Sequence, residues 1–214
     1  KLEVKLDDLD PQQTLRNRVK GEESGKYSTT RLGSENYEEF EILFLEFYEP
    51  LKEIKDIILP TLFLGDLLPM GYTIDGAEGC IGNPMMMFAN LLSYEIFEQF
   101  DMKEGLRDEI IEKYNKSTNY SHDQDELVKL YQRAEIITSI FEIGAHFNRL
   151  KKSGSRDYKG HWLRGTSDYN IKGIRHFYSL AKKGLTEFGE EGSELLTAFE
   201  NYISTSNISD IVNS

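Results

Sequence analysis

The segment 124-QDELVKLYQRAEIITSIFEIGAHFNRLK-151 contains the longest helical pattern in this chain. Its apolar residues recur at spacings of three and four, and such residues share one face of an α-helix. The members of this stripe are Leu127, Leu130, Tyr131, Ala134, Ile137, Phe141, Ala145 and Phe147. A helix with a broad apolar stripe needs other helices to cover it. The segment therefore predicts that the chain folds as a helical bundle.

Similar patterns lie on both sides of this segment. One starts at Ser34 and carries Phe40, Phe44 and Phe47, and others occupy 84–100, 104–115 and 193–203. A further helix is expected after a cap at Thr166, Ser167 or Asp168. Residues 1–33 are mostly polar and lack periodicity, apart from a weak strand pattern over 1–6. We therefore predict an all-α helical bundle over residues 34–214, preceded by an irregular arm over 1–33 that is extended or partly disordered.

Prolines mark the expected helix ends before the central segment. Pro50 cannot continue the first helix, so we expect it to open a second short helix that ends at Pro60. Residues 60–84 are rich in glycine and proline and predict a linker packed onto the bundle. Asn83 followed by Pro84 predicts the next helix start, with Asn as the cap and Pro at the first helical position.

Composition limits the possible classes of protein. The chain has 214 residues, 39% of them hydrophobic and 29% charged, which is typical of a globular domain. Its single cysteine, Cys80, excludes an intramolecular disulfide and a cysteine-built zinc site. No apolar run reaches the roughly 18–20 residues that a membrane span needs. We expect an intracellular, cytoplasmic protein that has no membrane partner.

Charge is strongly segregated along the chain. The net formal charge is −12, yet residues 149–183 contain ten basic and two acidic residues, a charge of +8, and the rest carries −20. Tyr158, Trp162, Tyr169 and Phe177 lie among these cations. Cations and aromatic faces together suit single-stranded RNA, which needs phosphate contacts and base stacking. The alternative is that the basic segment contacts an acidic protein partner or the acidic surface of its own chain.

The stretch 153-SGSRDYKGHWLRGTSDY-169 lies within this basic segment. Its residues from Arg156 to His161, RDYKGH, resemble the R-x4-6-H signature of HEPN-family ribonucleases, in which a polar residue commonly follows the arginine; here it is Asp157. The resemblance implies an all-helical domain with the signature near its final helices, two protomers that pair as a homodimer, and RNA cleavage without a metal or cofactor.

The residue types in this motif fit RNA cleavage by the 2′-hydroxyl of the substrate. Histidine titrates near neutral pH, so His161 is the candidate for proton transfer. Arginine stays charged and binds phosphate through several donors, so Arg156 is the candidate for holding the scissile phosphate. The candidate RNA-binding residues around them are Lys151, Lys152, Lys159, Trp162 and Arg164. Together with these residue types, the resemblance implies a metal-independent endoribonuclease for single-stranded RNA, or its inactive relative, in a defence or toxin system.

A second interpretation belongs to another class of protein. The chain can equally be a non-enzymatic helical adaptor of viral or bacterial origin whose basic segment binds nucleic acid or an acidic partner. The remaining histidines favour neither reading: we expect His146 and His176 to be packing or surface residues. Glu142 and His146 are one helical turn apart, but two such residues alone do not predict a metal site.

Overall fold

The computed structural model describes residues 7–20, 32–33, 35–58, 80–97, 105–117, 122–153 and 167–214. Contacts between Cα atoms divide the chain into two compact units. The first unit comprises Lys1–Leu9 and Glu49–Thr138, and the second comprises Asp10–Tyr48 and Ser139–Ser214. The prediction of one helical domain over residues 34–214 stays a prediction.

The described part of the chain is mainly α-helical, and the predicted all-α helical bundle is confirmed. Its α-helices are α1 (Pro11–Leu15), α2 (Tyr37–Tyr48), α3 (Pro84–Phe97), α4 (Leu106–Ser117), α5 (Gln124–Ser153), α6 (Ser167–Glu187), α7 (Glu190–Ser204) and α8 (Ser209–Asn213). A π-helical turn, Arg16–Lys20, continues α1, and a 3₁₀ turn, Glu49–Lys52, continues α2. None of the helices in these ranges is both long and apolar enough to cross a membrane.

A small β-ribbon in the first unit corrects the expectation of a second short helix after Pro50. The helical part ends with the 3₁₀ turn, and the following residues form strand β1 (Asp56–Ile58). This strand pairs antiparallel with β2 (Cys80–Gly82), with Ile57 opposite Ile81. The spacing of isoleucines in 54–58 suited a helix, but β-branched side chains also suit a strand once a partner strand is present.

The start of α3 agrees with the sequence. The Oδ1 atom of Asn83 accepts a hydrogen bond from the backbone N–H of Met85 at 2.9 Å, and Pro84 is the first helical residue. The other end of the amide, Nδ2, donates to the carbonyl of Leu51 at 3.0 Å. Asn83 therefore caps the helix and also fixes its start to the chain that leads into β1.

The core of the second unit is a cluster of aromatic side chains from α2 and α7. Phe40 stacks on Tyr202 with ring centroids 5.2 Å apart and planes only 5° from parallel. Phe199 lies 5.6 Å from the same Phe40 ring, and Tyr37 meets Tyr202 edge-on at 5.7 Å. All four residues are buried. Since apolar burial supplies most of the favourable free energy of folding, this cluster holds α2 against α7.

The N-terminal arm is partly helical, which corrects the expectation of an extended segment over residues 1–33. Asp10 caps α1 by accepting from the N–H of Gln13 at 2.9 Å, and Pro11 takes the first helical position. Leu15 and Val19 are buried. The pattern was missed because two apolar positions in ten residues give almost no periodicity. Residues 1–6, where a strand was expected, and 21–31 lie outside the described ranges.

Candidate functional site

Most of the predicted site residues lie outside the described ranges. This holds for both candidate catalytic residues, Arg156 and His161, and for Lys159, Trp162 and Arg164. Lys151 and Lys152 belong to the last turn of α5. The Lys151 side chain is exposed, and its Nζ atom lies 5.3 Å from the centre of the Phe147 ring. The described residues nearest to the motif belong to the two helices that precede and follow residues 154–166.

These two helices, α5 and α6, pack against each other around His146. The imidazole is fully buried, and its Nδ1 atom lies 3.0 Å from Oδ1 of Asn170, which is also fully buried. The ring stacks on Phe177, with centroids 5.5 Å apart. A Cβ atom at Gly173 would lie 2.4 Å from the ring, so glycine gives His146 its space. His146 thus connects α5 and α6, the helices that precede and follow the predicted motif.

The environment of His146 keeps its ring neutral. Burial lowers the pKa of this histidine to about 4, against the opposing effect of the nearby Glu142 carboxylate. Because the Asn170 oxygen accepts, Nδ1 carries the ring proton in this pair. Of the two roles that the sequence left open for His146, packing or surface, its burial shows packing. Its half-buried neighbour His176 contacts Phe177 edge-on, with ring centroids 5.0 Å apart.

A buried carboxylate lies one turn before His146. The side chain of Glu142 is only 4% exposed, and its Oε1 atom accepts from Nη1 of Arg18 at 3.1 Å. Nη1 of Arg149 lies 3.9 Å from Oε2. A buried charge is tolerated when opposite charges compensate it. Arg149, the first cation of the basic segment, is therefore directed toward the interior of the unit.

The contacts of Glu142 argue against a role as a metal ligand. Two arginine side chains already compensate the charge of Glu142, and they would repel a metal cation at this carboxylate. In the described ranges, no group of three or more His, Cys, Asp or Glu side chains converges as a metal site would require.

Helix α6 presents a basic stripe to solvent. Lys172, Arg175, Lys182 and Lys183 are all exposed. The opposite side of the helix is buried and consists of Asn170, Gly173, Ile174, Phe177, Ala181 and Leu185. The separation follows from helical geometry, because the basic residues recur at spacings that keep them on one face. We call these four residues the α6 stripe.

Three members of the α6 stripe contact other groups of their own chain. The Nζ atom of Lys182 lies 2.5 Å from Oε1 of Glu200, and that of Lys183 lies 3.8 Å from Oε1 of Glu187. Arg175 donates from Nε to the carbonyl of Ile211 at 2.9 Å and from Nη2 to Oγ of Ser214. Exposed ion pairs of this kind contribute only about 0–1 kcal/mol, so a phosphate could replace the carboxylates at little cost.

The Glu142 and His146 pair was noted in the sequence, but the polar network to which both residues belong was missed. Glu142, His146 and Arg149 follow one another at spacings of four and three, which places them on one helical face. Polar residues repeated at that spacing within an apolar helix are a signal for a buried network. Their partners, however, come from Arg18 and Asn170, which are remote in sequence, so the pattern alone could not reveal them.

No protein-family model, curated protein or solved structure was found to match this chain. The residues of this chain define an all-α protein with a basic segment at residues 149–183, whose flanking helices pack around a buried histidine.

Proposed function

We propose that this chain is a HEPN-like, metal-independent endoribonuclease that acts on single-stranded RNA. The observation that carries the proposal is the R-x4-H pair of Arg156 and His161 inside a segment of charge +8 in an otherwise acidic chain. The exposed α6 stripe supports it, because it extends the cationic surface beyond the motif itself. Defence and toxin systems are the biological setting that the resemblance implies.

The proposed reaction needs no group from outside the RNA and the protein. The 2′-oxygen attacks the adjacent phosphorus, the bond to the 5′-oxygen breaks, and a 2′,3′-cyclic phosphate forms. His161 serves as the group that moves the proton, since the 2′-hydroxyl must lose one and the leaving oxygen must gain one. Arg156 donates to the phosphoryl oxygens, where negative charge accumulates in the transition state.

RNA binding would involve a larger surface than the motif. Lys151, Lys152, Lys159 and Arg164 supply cations for the phosphates, and Trp162 supplies a flat ring on which a base can stack. The α6 stripe would continue the phosphate contacts, because the weak ion pairs of Lys182 and Lys183 can exchange for phosphate.

A cleavage assay in EDTA tests the proposal. We expect single-stranded RNA to be cut to fragments that end in a 2′,3′-cyclic phosphate, and DNA to survive because it lacks the 2′-hydroxyl. His161→Ala should lower the cleavage rate by roughly 10²–10⁴-fold while RNA affinity is kept. His122→Ala, which removes a histidine from the first unit, is the matched control and should cut as the wild type does. Uncut RNA over a wide pH range would refute the nuclease.

Arginine variants separate charge from geometry at the same site. Arg156→Ala should lower both cleavage and affinity, because a phosphate-binding group acts in the ground state and the transition state alike. Arg156→Lys keeps the charge but lacks the planar set of donors, so it should bind RNA nearly as well and cut it more slowly. Equal cleavage by wild type and Arg156→Lys would mean that Arg156 contributes only charge.

The homodimer and the toxin setting are part of the same proposal. Light scattering after gel filtration measures the mass, and we expect twice the 24.7 kDa of one chain. Expression of the wild type in bacteria should slow growth, whereas expression of His161→Ala should not. Equal growth would remove the toxin setting without touching the cleavage result.

A non-enzymatic adaptor is the second candidate function. It is favoured by the exposed cations of the α6 stripe, which can bind RNA or an acidic protein without any catalytic group. The adaptor predicts that RNA or an acidic protein binds to residues 149–183 and that no RNA is cut. His161→Ala would then leave every measured property unchanged.

A further inference from the structure

The first unit contains a pocket that is unrelated to the basic segment. It has a volume of about 360 Å³. One wall is formed by the 3₁₀ turn and the residues that follow it, and the other wall is formed by the first three turns of α5. Pockets that bind small molecules are commonly about 300–1,000 Å³ in volume. This one is large enough for a small organic ligand.

The inner wall combines apolar side chains with one arginine. The apolar groups are Pro50, Ile54, Leu127 and Leu130, of which Ile54 and Leu127 are buried. Arg133 also lines the pocket, and the residue is only 6% exposed. A guanidinium group has five N–H donors, so it can serve a ligand in addition to contacts within the protein. Its planar geometry suits the two oxygens of a carboxylate.

The remaining charged residues that line the pocket lie nearer to solvent. Lys129 is exposed, and so are the two acidic residues, Glu53 and Glu126. Water and salt screen exposed charges much more strongly than buried ones. The buried guanidinium should therefore outweigh the two exposed carboxylates, and the pocket should prefer an anion to a cation.

Hydrogen bonds fix the wall of the pocket at the start of α5. Oδ1 of Asp123 accepts from the backbone N–H groups of Asp125 and Glu126 at 2.8 and 3.2 Å. The side chain of Asn115 donates to the carbonyl of His122 at 2.9 Å and accepts from its N–H at 3.2 Å. A wall held in this way is preformed, which lowers the entropic cost of binding.

We propose that this pocket binds a small carboxylate with an apolar body, whose carboxylate pairs with Arg133 and whose body packs on Ile54, Leu127 and Leu130. The site is independent of the proposed nuclease, since all of its residues belong to the first unit.

Three probes that differ only in their polar end test the preference for an anion. Isothermal titration calorimetry with 4-phenylbutyrate, 4-phenylbutanol and 4-phenylbutylamine should show one site that binds the carboxylate at least tenfold more tightly than the other two. Equal affinities for the carboxylate and the alcohol would overturn the role of Arg133. Tighter binding of the amine would assign the pocket to cations through Glu53 and Glu126, and no binding of any probe at millimolar concentration would end the proposal.

Two variants locate the site. Leu130→Trp fills the pocket from a half-buried position and should abolish binding of 4-phenylbutyrate while the helical circular dichroism spectrum is kept. Arg133→Gln should lower its affinity at least tenfold and leave that of the alcohol unchanged. Lys116→Gln, on the exposed surface of α4, is the control and should bind as the wild type does. Unchanged binding by Leu130→Trp would place the probe elsewhere, and this variant decides the question even if Arg133→Gln does not fold.

Discussion

Gly144 lies where the main chain of the N-terminal segment crosses α5. A Cβ atom at this position would be 1.9 Å from the carbonyl oxygen of Arg18, far inside any van der Waals contact. In an ordinary helix interior, Gly→Ala stabilises by roughly 0.5–1 kcal/mol. Here we expect the opposite: Gly144→Ala should destabilise the protein by about 1–3 kcal/mol, because the backbone of residues 16–20 has to move. Urea unfolding measures the change.

Gly33→Ala is the matched control for this prediction. Its Cβ atom would meet Cα of Ser206 at 3.4 Å, which is an ordinary contact, so the free energy of unfolding should change little. A stabilised Gly144→Ala variant would contradict the close crossing of Arg18 over α5.

His146 makes the stability depend on pH. Its pKa is about 4 in the folded protein, whereas an unfolded chain has the ordinary value of 6.5. The unfolded state therefore binds more protons between these values. The contribution of this histidine to stability is fully present above about pH 6.5, declines as the pH falls, and reaches its full loss, roughly 3 kcal/mol, below about pH 4.

Urea unfolding of the wild type and of His146→Gln at a series of pH values isolates this contribution. The difference in unfolding free energy between the two proteins should shrink as the pH falls from 6.5 to 4, because glutamine does not titrate. A difference that stays constant over this range would show that His146 titrates normally and is not desolvated.

At the scale of elements, the N-terminal helical segment is the sharpest departure from the sequence analysis. Leu15 is fully buried although it belongs to a stretch expected to be extended or partly disordered. Leu15→Ala should cost about 2–5 kcal/mol of stability, as truncation of buried leucines typically does. Gln13→Ala, at an exposed position of the same helix, should change little beyond losing its hydrogen bond to Asn17. Equally small effects of the two variants in thermal unfolding would indicate that this arm is extended or partly disordered, as the sequence predicted.

An element could be predicted from the sequence when the residues that determine it lie close together in the chain. The stripe on α5 and the Asn83-Pro84 start of α3 carry their information within a few residues, and both predictions are confirmed. Strand β1 depends on a partner strand more than twenty residues away in sequence, and periodicity contains no trace of it. The short helix α1 had a readable signal, Asp10 followed by Pro11, which matches a capped helix start.

For the candidate site, the sequence identified candidate residues but did not predict the contacts or the burial of the residues around them. The charge pattern of 149–183 and the Arg156 and His161 pair are visible in one dimension, whereas the burial of His146 is not. Arg18 and Glu142 are 124 positions apart in the sequence, and their ion pair exists only because the N-terminal segment packs on α5. Such contacts depend on tertiary packing, which residue spacing cannot report.

At the scale of the whole molecule, the segregation of charge allows a test of whether RNA binding depends on the position of the cations or on the total charge of the chain. The chain carries −12 overall, so any affinity for RNA has to come from a local concentration of cations. Two double variants lower the positive charge equally: Lys151→Gln with Lys172→Gln in the basic segment, and Lys113→Gln with Lys116→Gln on α4. All four lysines are exposed.

Both double variants have a formal charge of −14, two units below that of the wild type. Only the first pair should change RNA binding, because Lys151 and Lys172 belong to the basic segment that is proposed to contact the phosphates, whereas Lys113 and Lys116 do not. If Lys151 and Lys172 each contact a phosphate, the slope of log affinity against log salt should become shallower by about 1.4, since each contact to single-stranded RNA contributes about 0.7. The α4 variant should keep the wild-type slope. Equal losses of affinity and equal slopes would mean that RNA responds to the total charge, and residues 149–183 would then not be the RNA-binding surface.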